Sequence, residues 1–207
     1  DLSKEIPVSV EELNKFASLG GQLGIPTEAI VGFSKVVAAL GETTDMTGEQ
    51  AAEAFAQFAN ITNMEKSEVA FSKLGSTVNQ LGNEMAAGEP IITEYALRNG
   101  GAGEVGKFTE AHILGIGAAM ASAGVSAEAG GTAVQKVMFS MTQAAEMGGE
   151  KLDIFAKTAG MSAKDFAAAF QKDAGGAFQL FVEGLKTQGI GATKTMKDIG
   201  VGGSTAA

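Results

Sequence analysis

Apolar residues return at three- and four-residue intervals along almost the whole chain, and small polar residues and glycines punctuate them. Leu13, Phe16, Ala17 and Leu23 share one helical face after Ser9 and Glu12. That pair has capping-box spacing, in which the hydroxyl takes an orphan N–H and the carboxylate reaches back. Ile30, Phe33, Val37 and Leu40 repeat the pattern, with Thr27 as the expected cap and Gly41 as the expected stop. Thr47 with Gln50 is a second capping box, ahead of Ala51, Ala54, Phe55 and Phe58. Ser126 precedes a long stretch carrying Val134, Val137, Met138, Met141 and Ala145, which Gly148-Gly149 ends. Ser162 opens a segment with Phe166, Ala169 and Phe170, and Phe178, Phe181, Val182 and Leu185 mark one more.

One kind of joint recurs. In Gly24-Ile25-Pro26-Thr27, Gly124-Val125-Ser126-Ala127 and Gly160-Met161-Ser162-Ala163, a glycine ends a helix and an apolar residue packs back. A hydroxyl then stands at or near the next helix start. Gly124 is therefore expected at positive φ, with Ser126 within a residue of the following helix. The joints have no fixed period, so the chain is not a solenoid. No run alternates apolar and polar residues between hairpin turns. The pattern predicts an all-α fold of about eight to ten short helices. Residues 1–187 read as a helical module, and the Gly-rich residues 188–207 as a weak terminal helix or loosely structured segment.

Composition changes what kind of core this is. The chain holds 35 alanines and 29 glycines among 207 residues, with no Trp and one Tyr. Small side chains bury little area each, so helices must approach closely around a thin core. The formal charge of −9 argues against a nucleic-acid surface, which needs basic residues to neutralise phosphate. With zero Cys there is no disulfide framework and no thiol nucleophile. The first residues are polar, without the apolar stretch of a signal peptide, and no Met opens them. The chain reads as an internal piece of something longer.

Several segments offer chemistry at first sight. Gly101-Ala102-Gly103-Glu104-Val105-Gly106-Lys107-Phe108 nearly matches the phosphate-binding loop G-x-x-x-x-G-K-[ST]. Phe108 stands where the magnesium-binding hydroxyl belongs, and no strand precedes the loop, so the expectation is a Gly-rich hinge before a helix capped by Thr109. His112 has no second His or Cys for a metal site. Glu11, Glu12 and Glu49 fall in first helical turns, where carboxylates complement the helix dipole. Met138, Met141 and Met147 read as a core stripe. Ala111 to Val125 is the most apolar run, shorter than the roughly twenty residues a bilayer-spanning helix needs. Within it Gly115, Ala119 and Ala123 stand four apart, a spacing that permits close helix contact. Gly130 and Gly131 lie inside a predicted helix, which implies a helix crossing over them, with residues 111–123 as the expected partner or a second copy as the alternative. These five residues are the candidate packing or self-association site.

The order of motifs resembles the core region of phage tail tape measure proteins. The resemblance runs from Ile6-Pro7-Val8-Ser9-Val10-Glu11-Glu12-Leu13 through Gly21-Gln22-Leu23-Gly24-Ile25 and Ala56-Gln57-Phe58-Ala59-Asn60-Ile61-Thr62. Its most specific part is Gly124 to Ala133, followed by Gly149-Glu150-Lys151-Leu152 and Ala159-Gly160-Met161-Ser162 with Phe166. It fails over 188–207. It implies a non-enzymatic virion protein of the tail lumen or tip, assembled in the host cytoplasm. Such a protein sets tail length, fills the tube and leaves ahead of the genome. The implied partners are further copies of itself, tail tube and tip proteins, and tail assembly chaperones, with no cofactor, metal or specific nucleic acid. The alternative is a membrane-active module in which residues 111–125 contact the host membrane and help form the DNA entry channel.

Overall fold

The structure is a computed structural model that describes residues 8–201. Eleven helices and no strand occur among the described residues, one more helix than the upper end of the sequence expectation. They are α1 (Val10–Gln22), α2 (Thr27–Thr43), α3 (Gly48–Ile61), α4 (Glu68–Glu84), α5 (Glu89–Val105), α6 (Glu110–Ser122), α7 (Ala127–Met147), α8 (Glu150–Thr158), α9 (Ala163–Lys172), α10 (Ala174–Gln188) and α11 (Gly191–Asp198).

The caps explain most boundaries. Both capping boxes form: the Ser9 hydroxyl accepts from the Glu12 N–H, and the Thr47 hydroxyl accepts from the Gln50 N–H. Ser162 accepts from Asp165 N, and Asp173 from Gly176 N. Gly124 has φ +72°, the left-handed conformation that a Cβ penalises, and Ser126 stands immediately before α7. Two expectations at α2 fail. Thr27 is the first helical residue and makes no capping bond, because Pro26 occupies the cap position. Gly41 does not stop α2 either; the helix runs on to Thr43, and Gly41 instead lets its backbone lie against that of Gly48.

The chain forms two compact units. The first takes the chain up to Gly101 together with Glu110–Gly131. Its α2 packs on α1, α3 and α4, and α4 packs on α6. Phe33, Val37, Phe55, Phe71, Val78, Ile92 and Ile113 are buried there, and Phe33 meets Phe71 edge to face at 5.0 Å between centroids. The second takes Ala102–Thr109 and the chain from Thr132 onward. In it α8, α9 and α10 pack together around phenylalanines. Phe155 lies 4.9 Å from Phe181 and 6.1 Å from Phe166, while Phe108 touches Phe170 and Phe178 at 6.0 Å each. Of the two readings of the terminal stretch, the described part shows the helix. The Ser140 hydroxyl donates to Ile199 O at 2.8 Å, the Thr195 hydroxyl donates to Gln188 at 2.7 Å, and Ile199 is buried. The expectation for residues 202–207 lies outside the described residues.

Candidate functional site

The thin core is closed by a set of glycines that each receive a neighbour. Gly20 faces the Phe33 ring, Gly32 the Glu68 side chain, Gly75 Val36, and Gly48 the Phe16 ring. At Gly184 an added methyl would collide with the carbonyl oxygen of Thr158, so α8 and α10 meet almost backbone to backbone. These notches follow from composition. When side chains are small, contact area comes from shortening the distance between helices rather than from filling it.

The most developed notch surrounds Tyr95, the single tyrosine, which is fully buried. A methyl on Gly117 of α6 would lie 2.8 Å from Tyr95 Cβ, and one on Gly130 of α7 would lie 2.5 Å from the Tyr95 hydroxyl. That hydroxyl donates toward two carbonyls of the α6–α7 joint, Val125 O and Ser126 O, at 2.8 Å each. A single O–H shared between two acceptors holds both carbonyls of the turn in place. Burial first, and the neighbouring Glu94 carboxylate second, push the Tyr95 phenol above its ordinary value, which keeps it a donor.

The structure buries Gly130 and Gly131 but changes the helix that covers them. It is α5, through Tyr95 over Gly130 and the stem of Arg98 over Gly131. From α6, the expected partner, Met120 also reaches Gly130, but from farther away than the Tyr95 hydroxyl. The reason is the direction of α6: its buried face carries Ile113, Leu114, Gly117 and Ala118. The small-residue row lies on the other side. Ala119 and Ala123 are exposed, and Gly115 is half-buried with no described residue beyond its own helical turn within 4 Å of the position a methyl would take. Spacing placed both rows correctly on helices and could not say which row faces inward. Tyr95 is the residue that sequence reasoning passes over; that it is the single tyrosine of the chain is the one signal that could have found it.

The near-match to a phosphate loop is helix. Gly101 to Val105 are the last turns of α5, not the loop-like hinge expected of them, and the turn comes at Gly106-Lys107, where Lys107 has φ +58°. The N–H groups that would cradle phosphate are already used: Gly106 N donates to Ala102 O, Lys107 N to Glu104 O, and Phe108 N to Gly103 O. Phe108 itself is a core side chain of the second unit. His112 is half-buried in the first turn of α6. Among the described residues, no group of three or more His, Asp or Glu is placed to hold a metal ion. Met138 and Met141 are buried in α7, whereas Met147 stands exposed at its end and leaves the stripe. No helix among the described residues is long and apolar enough to cross a membrane. At 13 residues α6 spans about 20 Å, against a hydrocarbon thickness of about 30 Å.

Neither the curated proteins nor the solved structures gave a match to this chain. The profile of one family, described as phage-related minor tail protein, matches residues 1–201. A match of that extent takes in the capping boxes, the Gly124 joint and both compact units, and the chain belongs to the phage-related minor tail protein family.

Proposed function

We propose that this chain is a section of a tape measure protein, a non-enzymatic component that occupies the tail tube and leaves it ahead of the genome. The observation that carries this reading is the ordered run of motifs from Ile6 to Phe166 that resembles tape measure core regions, within a chain of the minor tail family. The helical build supports it further: the near-match to a phosphate loop is closed off, with the N–H groups of Gly106, Lys107 and Phe108 bonded to the end of α5 and Phe108 in a core.

The measuring itself is assigned to other parts of the full protein. A continuous helix of this length would extend about 310 Å, but the longest helix here has 21 residues and spans about 32 Å. A section folded into short helices is a poor ruler and a good packing module. The outward row Gly115, Ala119 and Ala123 on α6 is the face we assign to contact with further copies or with tube and tip proteins.

The test uses the phage or prophage that carries this reading frame. Deleting the gene should give tails of irregular length or none. In intact particles the protein should resist added protease, and in emptied particles it should be missing. Digestion on intact tails, or retention after ejection, would overturn the assignment to the tube.

A further inference from the structure

The chain passes between its two compact units three times: at Gly101-Ala102 inside α5, at Thr109-Glu110 after the α5–α6 turn, and at Gly131-Thr132 inside α7. Both helical passages fall in glycine-rich runs that are poorly suited to helix. In α5 the crossing reads Asn99-Gly100-Gly101-Ala102-Gly103, and in α7 it reads Gly130-Gly131-Thr132. Glycine is the weakest helix former after proline, and sharp bends in helices concentrate at such residues.

Packing accounts for some of these glycines and not for all. A methyl on Gly100 would lie 2.8 Å from Ile61, and Gly130 and Gly131 are covered by Tyr95 and Arg98. Gly101 is different, because the nearest atom to an added methyl is Ile61 Cγ2 at 4.0 Å. Alanine would fit there and would favour the helix. A second oddity lies two residues earlier. Asn99 is buried, its amide donates to Tyr95 O at 2.9 Å, and its Oδ1 is enclosed with no hydrogen-bond partner among the described residues. An enclosed acceptor without a donor favours any conformation that lets water reach it.

We propose that the chain hinges at these passages: α5 bends around Asn99–Gly103 and α7 around Gly130–Thr132, so that each compact unit moves as a body. Gly101 is the residue kept for bending rather than for packing. Bending also hydrates Asn99 Oδ1, which offsets part of the helix lost. Because both helices tie the same two bodies, stiffening α5 alone restricts the motion.

The absence of Cys makes the test direct. Spin labels on Glu53→Cys in α3 and Lys172→Cys in α9, both exposed positions, report the distance between the units by pulsed double electron resonance. The expected parent distribution has more than one population, and Gly101→Ala should collapse it to one. Gly21→Ala, a helical glycine of α1 with nothing within 4 Å, is the control and should leave the distribution as it was. Hydrogen exchange supplies the second reading: amides of residues 132–135 should exchange at least tenfold faster than those of 139–142 in the same helix. One narrow distance in the parent, no response to Gly101→Ala, an equal response to Gly21→Ala, or uniform exchange along α7 would each overturn the hinge.

Discussion

Gly184→Ala is the substitution on which the account of the core rests most heavily. In an isolated helix this change stabilises by about 1 kcal/mol, since alanine is the better helix former. Here the methyl would run into the Thr158 carbonyl oxygen at the end of α8, and a backbone atom cannot swing aside as a side-chain tip can. Overpacking of that kind costs about 1–3 kcal/mol. Pushing α10 off α8 also strains the hydrogen bond across their contact, in which Gln188 Nε2 donates to the Thr158 hydroxyl at 3.2 Å. That bond contributes about 1 kcal/mol. Set against the propensity gain, the expected loss is about 1–3 kcal/mol, a fall in Tm of roughly 2–12 °C for a chain of this size. Gly21→Ala provides the opposite case, with nothing near the new methyl, and should raise stability by up to about 1 kcal/mol. Urea unfolding and thermal melts of both variants decide the matter. If Gly184→Ala stabilised as Gly21→Ala does, the helices would not be held at backbone distance, and the close-approach account of this core would fail.

Four further outcomes are expected. Tyr95→Phe removes the donor to Val125 O and Ser126 O and should destabilise by about 1–2 kcal/mol, with exchange rising first at the α6–α7 joint; unchanged protection there would refute the role of the hydroxyl. Ser9→Ala should cost about 1 kcal/mol in chemical denaturation through loss of the α1 cap. The Ser9 hydroxyl and then its backbone N–H hold the Glu12 carboxyl below its ordinary range. A depressed carboxyl contributes stability that is complete above its unfolded value and lost as pH falls through the folded one, so α1 should loosen on acidification and Glu12→Gln should flatten that dependence. Titration with ATP or GTP and Mg²⁺ should show no binding in calorimetry, because the N–H groups of residues 106–108 are committed to α5; micromolar affinity abolished by Lys107→Ala would contradict this.

Helix type and the best-capped boundaries could be read from the chain because caps are local. Ser9 with Glu12, Thr47 with Gln50 and Ser162 with Asp165 each need only three residues of context. Helices without such a signature were harder to see. The run from Glu68 to Glu84 carries Phe71, Leu74 and Val78 at helical spacing, yet Gly75, Asn79 and Gly82 dilute the pattern to the eye. The run from Glu89 to Val105 ends in a glycine cluster that reads as a loop until neighbours are known. In both, contacts from elsewhere in the fold outweigh the local cost of glycine, and those contacts have no trace in the neighbouring letters.

Glycine is where reading the sequence reaches its limit, because one letter serves three physical purposes here. Gly124 is glycine for its backbone angle, and the helix-ending context around it gave that away. Gly117, Gly130 and Gly184 are glycine because another helix occupies the space of a side chain. Gly101 and Gly115 satisfy neither condition: both are helical, neither has positive φ, and among the described residues nothing beyond their own helical turn lies closer than 4.0 Å to an added methyl. The first class depends on local geometry, the second on tertiary contact, and the third on something outside the static fold of one chain. The expectation for Gly115 as a contact residue and the hinge at Gly101 both belong to that third class. They also separate cleanly under substitution. Gly115→Ala and Gly101→Ala should each add up to about 1 kcal/mol to the stability of the isolated chain, as helical glycines in open space do. An interface role for Gly115 would show as weakened assembly, and a hinge role for Gly101 as restricted motion. A gain in stability with no functional loss at either site would return both to the class of glycines that nothing in the structure explains.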